Sequence, residues 1–381
     1  MKKFFVILLV CVLLSGCRIN PAAMEDYTPM SVPTEPETQP PTTVPPDPME
    51  VLLDSMSQAQ LVGQLFLARY PGHEAAKAAV EQYHLGGFVL FGQDYREETP
   101  DSIAGRMAAL QEASGVALLI AADEEGGDVA RVSAYSQYRD SRFPSPRKLF
   151  DEGGLSLVLE TEAEKCLLLQ RVGVNVNLGP VCDVTTDADA FMYKRSLGQD
   201  AATTGQFAAG MVETMAQHKI GSVLKHFPGY GNNVDTHIGT AVDTRSLETL
   251  ETVDLVPFQA GIDAGCDGIL VSHTIVECLD SQLPASLSPT VVQYLRSNMG
   301  FEGVIVTDDL VMEAITDKYG IGESAVMAVQ AGCDLLCCSD YEEQYAAVLA
   351  AVQDGRISRE QLRESVKRIL QWKLELGLVT L

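Results

Sequence analysis

The stretch GIDAGCDGILVS, residues 261–272, ends a helical pattern with a Gly-Cys-Asp turn and continues into an apolar run. A second copy of this pattern, AGCDLLCCS, occupies residues 331–339. Glycine after a helix, followed by a short apolar run, is typical of the link between a helix and a buried strand. Two copies of the link predict a chain built from repeating strand–helix units.

The chain contains eight apolar runs in all, separated by helical patterns such as Leu155–Arg171 and Ala201–Lys219. The predicted strands are Gln64–Ala68, Gly87–Phe91, Ala117–Ala122, Val174–Leu178, Ser222–Lys225, Gly268–Ser272, Gly303–Thr307 and Asp334–Cys338. Several are continuously apolar, as strands buried on both faces should be. The pattern predicts an α/β fold, a single (β/α)8 barrel over residues 51–381 without an additional C-terminal domain. The alternative is a doubly wound open sheet, although no G-x-G-x-x-G motif follows an early strand.

The N-terminal region has a different character. Two lysines precede an apolar run from Phe4 to Leu14, which is too short for a typical membrane-spanning helix. Leu14-Ser15-Gly16-Cys17 then resembles a bacterial lipobox. This resemblance implies a lipoprotein signal peptide over residues 1–17 and lipidation at Cys17. An ordinary signal peptide or an uncleaved anchor is the alternative.

Residues 18–50 are rich in proline and threonine, which favours an extended, disordered spacer. We therefore expect the barrel to work outside the cytoplasm, lipid-anchored to the outer face of the cell membrane.

Charge and cysteine content exclude several classes of protein. The formal net charge of −25 argues against a basic surface for nucleic acid. Hydrophobic residues make up 46% of the chain, so global disorder is excluded. The nine cysteines show no Cys-x-x-Cys spacing, which argues against both a zinc site and a disulfide framework. We predict that most of them are small hydrophobic core residues.

Polar residues stand where several predicted strands end. In barrel enzymes the catalytic groups project from the C-terminal ends of the strands. The residues at those positions here are Asp123, Asn177, Lys225, His226, His273 and Asp308. Asp and Lys are seldom left in apolar surroundings without a partner or a purpose. So many polar strand ends on one rim predict a polar site.

Four segments resemble glycoside hydrolase family 3, in its β-N-acetylhexosaminidase branch. KHFPGYG at residues 225–231, followed by Asp235-Thr236-His237, resembles the family signature KHFPGHG…DSH. FEGVIVTDDLVM at 301–312 resembles the nucleophile strand, DEEGGDVAR at 123–131 resembles the D-x-E-G-G-x-V-x-R turn, and KRSL at 194–197 resembles the sugar-binding turn. Tyr230 stands where the family usually has a second histidine. The resemblance extends from about Met56 to Gly377.

The resemblance implies a catalytic mechanism. Asp308, at a strand end, would be the nucleophile of a glycosidase that retains the anomeric configuration. The neighbouring Asp309 would cap the following helix. Asp235 would orient the ring of His237, which would act as general acid and then as general base.

The same resemblance implies the substrate contacts. The expected sugar-binding residues are Asp123, Arg131, Arg195, Lys225 and His226. Glu125 would support them, and His273 is either a rim histidine or a substrate contact. We expect no metal and no organic cofactor, and we expect a monomer whose partners are β-linked N-acetylglucosaminides and, through the lipid, the membrane.

Rival interpretations remain at this point. One is a metal-dependent hydrolase barrel with His226, His237, His273 and Asp308 as ligands, although the predicted first strand has no histidine. Another is a sugar-binding lipoprotein without activity. Within the enzyme interpretation, the expected reaction is hydrolysis of peptidoglycan-derived fragments. Phosphorolysis and cleavage of chitin oligosaccharides are the alternatives.

Overall fold

The computed structural model describes residues 47–231 and 241–381. Within these residues, all eight predicted strands are present, together with two short strands that the sequence did not predict. The strands are β1 (Phe66–Arg69), β2 (Gly87–Leu90), β3 (Leu119–Ala122), β4 (Val176–Asn177), β5 (Gly221–Phe227), β6 (Val242–Asp243), β7 (Gly268–Val271), β8 (Ile275–Val276), β9 (Val304–Thr307) and β10 (Leu336–Cys338).

Eight of these strands form one parallel barrel. Their order is β10-β1-β2-β3-β4-β5-β7-β9. A parallel bridge between Val306 and Leu335 closes the ring, and the amide of Thr307 donates to the carbonyl of Leu335 at 3.0 Å. The predicted (β/α)8 barrel is therefore confirmed, and the open-sheet alternative is wrong. The unpredicted strands β6 and β8 pair with each other outside the barrel.

Helices surround the barrel, and their first residues follow capping rules. The helices are α1 (Pro48–Ser55), α2 (Gln58–Gln64), α3 (His73–Tyr83), α4 (Gly92–Tyr95), α5 (Pro100–Ala113), α6 (Pro146–Arg171), α7 (Ala201–Gln217), α8 (Leu247–Thr249), α9 (Leu255–Asp263), α10 (Pro289–Ser297), α11 (Glu313–Tyr319), α12 (Ile321–Ala331), α13 (Tyr341–Gln353) and α14 (Arg359–Glu375). Thr99, Ser145 and Ser288 each cap a helix that begins with proline. Proline at that position costs no hydrogen bond, because the first amide of a helix has no partner within it.

The two repeated links have the predicted geometry. Gly265 follows α9 with φ +84°, and Gly332 follows α12 with φ +104°. Glycine adopts these left-handed angles without the steric cost that a Cβ would impose. Each link leads directly into a barrel strand, β7 after Gly265 and β10 after Gly332. The pattern that predicted the fold therefore forms two of the helix-to-strand connections of the barrel.

Some strand boundaries differ from prediction. Gln64 was predicted in the first strand but ends α2, which begins with a capping box between Ser57 and Gln60. Strand β5 extends two residues beyond Lys225 to Phe227, with a register shift against β7. This longer strand carries both Lys225 and His226 to the C-terminal end of the barrel.

Seven cysteines lie in the described part of the chain, and none of the seven forms a disulfide. Six are buried, and Cys278 is partly exposed. This agrees with the prediction that they serve as core residues. In the same part of the chain no helix is long and apolar enough to cross a membrane. Residues 1–46, including Cys17 and most of the predicted spacer, lie outside the described residues.

Candidate active site

The strand order puts two predicted site residues on opposite sides of the barrel mouth. Asp123 follows β3 and Asp308 follows β9, and these strands are four steps apart in either direction around the closed ring. Lys225 and His226 belong to β5, which lies halfway between them. Because all the strands are parallel, their C-terminal ends meet at one rim. The barrel therefore brings together residues that are up to 185 positions apart in the sequence.

Lys225 lies at the centre of a charged cluster. Its Nζ atom is 2.6 Å from Oδ1 of Asp123 and 2.7 Å from Oε1 of Glu125, and its side chain is 2% exposed. Burial favours the neutral amine, but the two carboxylates outweigh burial and raise the pKa of Lys225 above its ordinary value. Lys225 is therefore a cation, and its ammonium group donates hydrogen bonds to two carboxylates.

Arg195 extends this cluster to His226. Its Nε and Nη2 atoms form a forked pair with Glu125, at 2.9 and 2.6 Å. Nη2 also lies 3.2 Å from Nε2 of His226. Burial raises the pKa of Glu125, but the charges of Lys225 and Arg195 lower it far more, so that this carboxylate stays ionised. Glu125 thus holds both cations in place, as the sequence predicted for a supporting residue.

Asp183 is a site residue that the sequence analysis missed. Its Oδ2 atom lies 2.9 Å from Nδ1 of His226 and accepts the backbone amide of the same residue at 3.2 Å. Its Oδ1 atom accepts the amide of Tyr230 at 2.7 Å. With Nδ1 donating to Asp183, Nε2 of His226 is an acceptor, which matches the nearby Arg195 donor. Asp183 lies six residues beyond β4, so its distance from a strand end hid it.

Glu124 shapes the turn that carries Arg131. This fully buried carboxylate accepts the amides of Arg131 and Val132, at 2.9 and 2.7 Å, and the hydroxyl of Ser133. Burial raises the pKa of Glu124 despite these hydrogen bonds. Nη2 of Arg131 then lies 3.4 Å from Oδ2 of Asp123. Burial raises the pKa of Asp123, but Lys225 and Arg131 together bring it below its ordinary value.

Asp308 lies directly beyond β9, with its carboxylate at the rim. Its amide donates to the carbonyl of Val271 at 3.1 Å, and its Oδ1 atom accepts the amide of Asp309 at 2.9 Å. The predicted capping role of Asp309 is wrong, because α11 begins only at Glu313. Instead the Asp309 carboxylate binds the backbone amide and hydroxyl of Ser339, at 3.1 and 2.5 Å, and so joins the loops after β9 and β10.

His273 supports the same loop through its imidazole ring. It is fully buried, with Nδ1 2.7 Å from the hydroxyl of Ser286 and Nε2 2.9 Å from the carbonyl of Asp309. Both ring nitrogens are therefore engaged with protein atoms, which favours the rim-histidine interpretation over substrate contact. Within residues 47–231 and 241–381, no group of His, Cys, Asp and Glu is arranged to hold a metal ion.

The predicted acid/base pair belongs to a segment outside the part of the chain that the structure describes. Asp235 and His237 lie between Gly231 and Ala241, outside the described residues. Their roles stay predictions. The described rim nevertheless combines a carboxylate after β9 with a group of charged hydrogen-bonding side chains on the other side. This combination is what a barrel enzyme that binds and cleaves a hydroxyl-rich substrate requires.

Comparison with known proteins agrees with this class. Residues 58–372 match the family described as the glycosyl hydrolase family 3 N-terminal domain. The β-hexosaminidase of Nitrosomonas eutropha is 34% identical over 267 residues, covering 67% of this chain and 74% of that protein. β-Hexosaminidase LpqI of Mycobacterium tuberculosis is 31% identical over 332 residues, covering 84% and 83%.

Solved structures give the same result. The family 3 β-N-acetylglucosaminidase from Paenibacillus sp. FPU-7 superposes with a TM-score of 0.79 and 32% identity. That alignment covers 86% of this chain and 65% of the Paenibacillus chain, so about a third of the latter has no counterpart in it. The structure of M. tuberculosis LpqI has a TM-score of 0.78 and 29% identity, covering 86% and 96%. The chain belongs to glycoside hydrolase family 3 and is a glycoside hydrolase.

Proposed function

We propose that this protein is an exo-acting, retaining β-N-acetylhexosaminidase. It would hydrolyse terminal non-reducing N-acetylglucosamine from peptidoglycan-derived fragments. The observation that carries the proposal is the charged cluster around Lys225, which shares the barrel mouth with Asp308. Such a cluster suits one sugar ring, gripped by its hydroxyls while its anomeric carbon faces a carboxylate.

The relatives support the choice of sugar. Both curated relatives named above are called β-hexosaminidases, and the Paenibacillus structure is called a β-N-acetylglucosaminidase. The proposed sugar contacts are the residues predicted from the sequence, namely Asp123, Arg131, Arg195, Lys225 and His226. Asp123 would accept hydrogen bonds from sugar hydroxyl groups, and the cations would donate hydrogen bonds to hydroxyl oxygens.

The proposed reaction has two steps. In the first, an oxygen of the Asp308 carboxylate attacks the anomeric carbon while the bond to the leaving oxygen breaks and His237 gives that oxygen a proton. In the second, water attacks the anomeric carbon, the bond to Asp308 breaks, and His237 takes the proton of the water. Two inversions give net retention. Asp235 would orient His237 and favour its charged form.

The leaving group tests the role of His237. An aryl leaving group needs little protonation, whereas a natural sugar alcohol needs it fully. His237→Ala should therefore reduce kcat/KM on a disaccharide at least about tenfold more than on p-nitrophenyl N-acetylglucosaminide. Equal losses on the two substrates would remove His237 from the acid role.

The proposed location and aglycone rest on the N-terminal sequence. A lipidated Cys17 and a Pro/Thr spacer would hold the barrel on the outer face of the membrane, where wall fragments occur. The net charge of −25 disfavours intact anionic wall polymers and suits small released fragments. Cys17→Ala should move the protein from the membrane fraction to the soluble fraction of the producing cells. Unchanged fractionation would contradict lipidation at this position.

Purified protein tests the activity itself. We expect cleavage of p-nitrophenyl N-acetylglucosaminide, little cleavage of the matching glucoside, and a β-configured first product by proton NMR. The reverse preference between the two aryl substrates would overturn the proposed sugar. Formation of sugar 1-phosphate in phosphate buffer would replace hydrolysis by phosphorolysis. Comparison of a GlcNAc–MurNAc disaccharide with chitobiose decides the aglycone, and a strong preference for chitobiose contradicts the peptidoglycan assignment.

A further inference from the structure

Arg245 lies beside the turn that follows β5. Its contacts with Asp243, Asp254 and Gly229 form a group that we call the clasp. Nη2 and Nε of Arg245 donate to the Asp243 carboxylate, at 2.6 and 2.9 Å, and Nη1 donates to Oδ2 of Asp254 at 2.7 Å. Nη2 also lies 3.3 Å from the carbonyl of Gly229. The guanidinium therefore joins three separate segments: strand β6, the π-helical turn Leu250–Asp254 that precedes α9, and the turn after β5.

Asp254 is built into this clasp by an unusual helical turn. Residues Leu250–Asp254 form a π-helical turn, a feature often found at functional sites, and Asp254 is fully buried. Gly229 has φ +113°, and a Cβ there would lie 2.7 Å from Oδ1 of Asp254. A Cβ on Gly231 would lie 2.5 Å from the guanidinium carbon of Arg245. Both glycines thus let the backbone pack directly on the clasp.

The same turn is held from its other side by Asp183. This carboxylate binds the amides of His226 and Tyr230 as well as the His226 ring. Within the turn, the amide of Gly229 donates to the carbonyl of His226 at 2.8 Å. Residues 226–230, which we call the β5 turn, are therefore fixed between an acid on one side and a clasped arginine on the other.

We infer that Arg245 is a positioning residue, which fixes the β5 turn and through it the imidazole of His226 and the ammonium of Lys225. Groups that bind a sugar must be held within a fraction of an ångström, so a support that loses one of its two sides weakens binding without touching the ligand. The part of this inference that concerns sugar binding rests on the proposed function. The part that concerns the placement of His226 does not.

The barrel offers a matched control at its opposite end. Nη1 of Arg296 donates to the carbonyls of Phe301 and Gly303, at 2.9 and 2.7 Å, and its guanidinium pairs with the buried Asp334. Gly303 precedes β9, so this clasp lies at the N-terminal face, away from Asp308. Arg245→Lys and Arg296→Lys each keep the charge and lose the planar fork.

Kinetics of the full-length variants on p-nitrophenyl N-acetylglucosaminide give the first test. Both variants should lose thermal stability, but only Arg245→Lys should raise KM at least fivefold, with kcat changed by less than the change in KM. The inhibition constant of free N-acetylglucosamine should rise by the same factor, because the same groups hold the product. Equal kinetics for the two variants, both at the wild-type level, would overturn the inference.

A second readout works without turnover. The ring signals of His226 in an ¹H–¹⁵N spectrum, identified by comparison with His226→Gln, should shift in Arg245→Lys and stay in place in Arg296→Lys. Asp254→Asn keeps the shape of the clasp but weakens its charge, so it should give a smaller shift in the same direction and serves if Arg245→Lys does not fold. Unshifted His226 signals in the folded variants refute the positioning role. If Arg245→Lys shows these shifts while the wild-type protein cleaves none of the substrates, the proposed function alone is refuted.

Discussion

Two of the buried lysines, Lys225 at the mouth of the barrel and Lys373 at its base, have opposite surroundings. At the mouth, Lys225 contacts the carboxylates of Asp123 and Glu125. At the base, Lys373 of α14 donates to the neutral amide oxygen of Gln64 at 2.7 Å and is fully buried. Burial alone lowers the pKa of Lys373 to about 7, whereas two acids raise the pKa of Lys225. Burial therefore does not decide charge by itself.

This difference separates function from structure within one fold. The mouth keeps its ions charged by placing them in contact, and so it maintains donors and acceptors for a ligand. At the base, Lys373 can become neutral, which removes most of the free-energy cost of burying an unpaired ion. Substitutions at the mouth should therefore affect turnover first, and those at the base should affect stability alone.

The largest effect should come from Asp308→Ala. Without the attacking carboxylate, kcat on p-nitrophenyl N-acetylglucosaminide should fall by at least about a thousandfold, while the free energy of unfolding changes by less than about 1 kcal/mol. The matched control is Asp309→Asn, whose carboxylate braces Ser339 and is assigned no chemical role. A similar kcat loss in both variants would show that the loop after β9, and not the Asp308 carboxylate, is what matters.

Lys225→Met should have the next largest effect. Loss of a charged donor to sugar hydroxyls should reduce kcat/KM about a hundredfold, since such hydrogen bonds contribute about 1.5–3 kcal/mol. The free energy of unfolding should also fall by about 3 kcal/mol, because the buried Glu125 and the partly buried Asp123 both lose a partner. Steady-state kinetics and urea unfolding measure the two losses. A variant with wild-type kinetics would refute a role for this cluster in binding.

Lys373→Met should stabilise the protein without changing its kinetics. Because the folded-state pKa is about 7 and the ordinary value is 10.5, the folded protein binds fewer protons between these pH values. The contribution of Lys373 to the stability of the wild type should therefore rise from pH 7 to pH 10 and be smallest below pH 7. The methionine variant should lack this rise and gain a few kcal/mol at pH 6, measured by urea unfolding. A destabilised variant would contradict the comparison of the two lysines.

Asp267→Asn should give a smaller change of opposite pH dependence. Burial raises the pKa of Asp267 to about 6 although its Oδ2 accepts from the amide and hydroxyl of Ser222. The folded state thus binds more protons between pH 3.8 and 6, and wild-type stability falls as pH rises through that window. Asparagine keeps an acceptor and removes the charge, so the fall should shrink by about 1–3 kcal/mol. An unchanged pH profile would show that Asp267 does not contribute.

Local patterns explain how much of this molecule was predictable. The eight strands and both glycine links were visible because each depends on neighbouring residues, and the rim residues were visible because a parallel barrel aligns strand ends. Asp183 and Arg245 were not visible, because they act across 43 and 16 positions on residues that carry no local signal for them. Gln64 was assigned to the first strand because of its apolar neighbours, but the helix that begins at the capping box of Ser57 and Gln60 extends to this residue.

The buried cysteines can report the local opening of different segments of the barrel. Cys166, Cys182, Cys266, Cys333 and Cys338 are spread from α6 around the barrel to β10, and burial raises the pKa of each thiol. A thiol reagent reacts with thiolate that is open to solvent, so each site is labelled only when its segment opens. Labelling rates read by peptide mass spectrometry would therefore rank the segments of the barrel by their opening free energies.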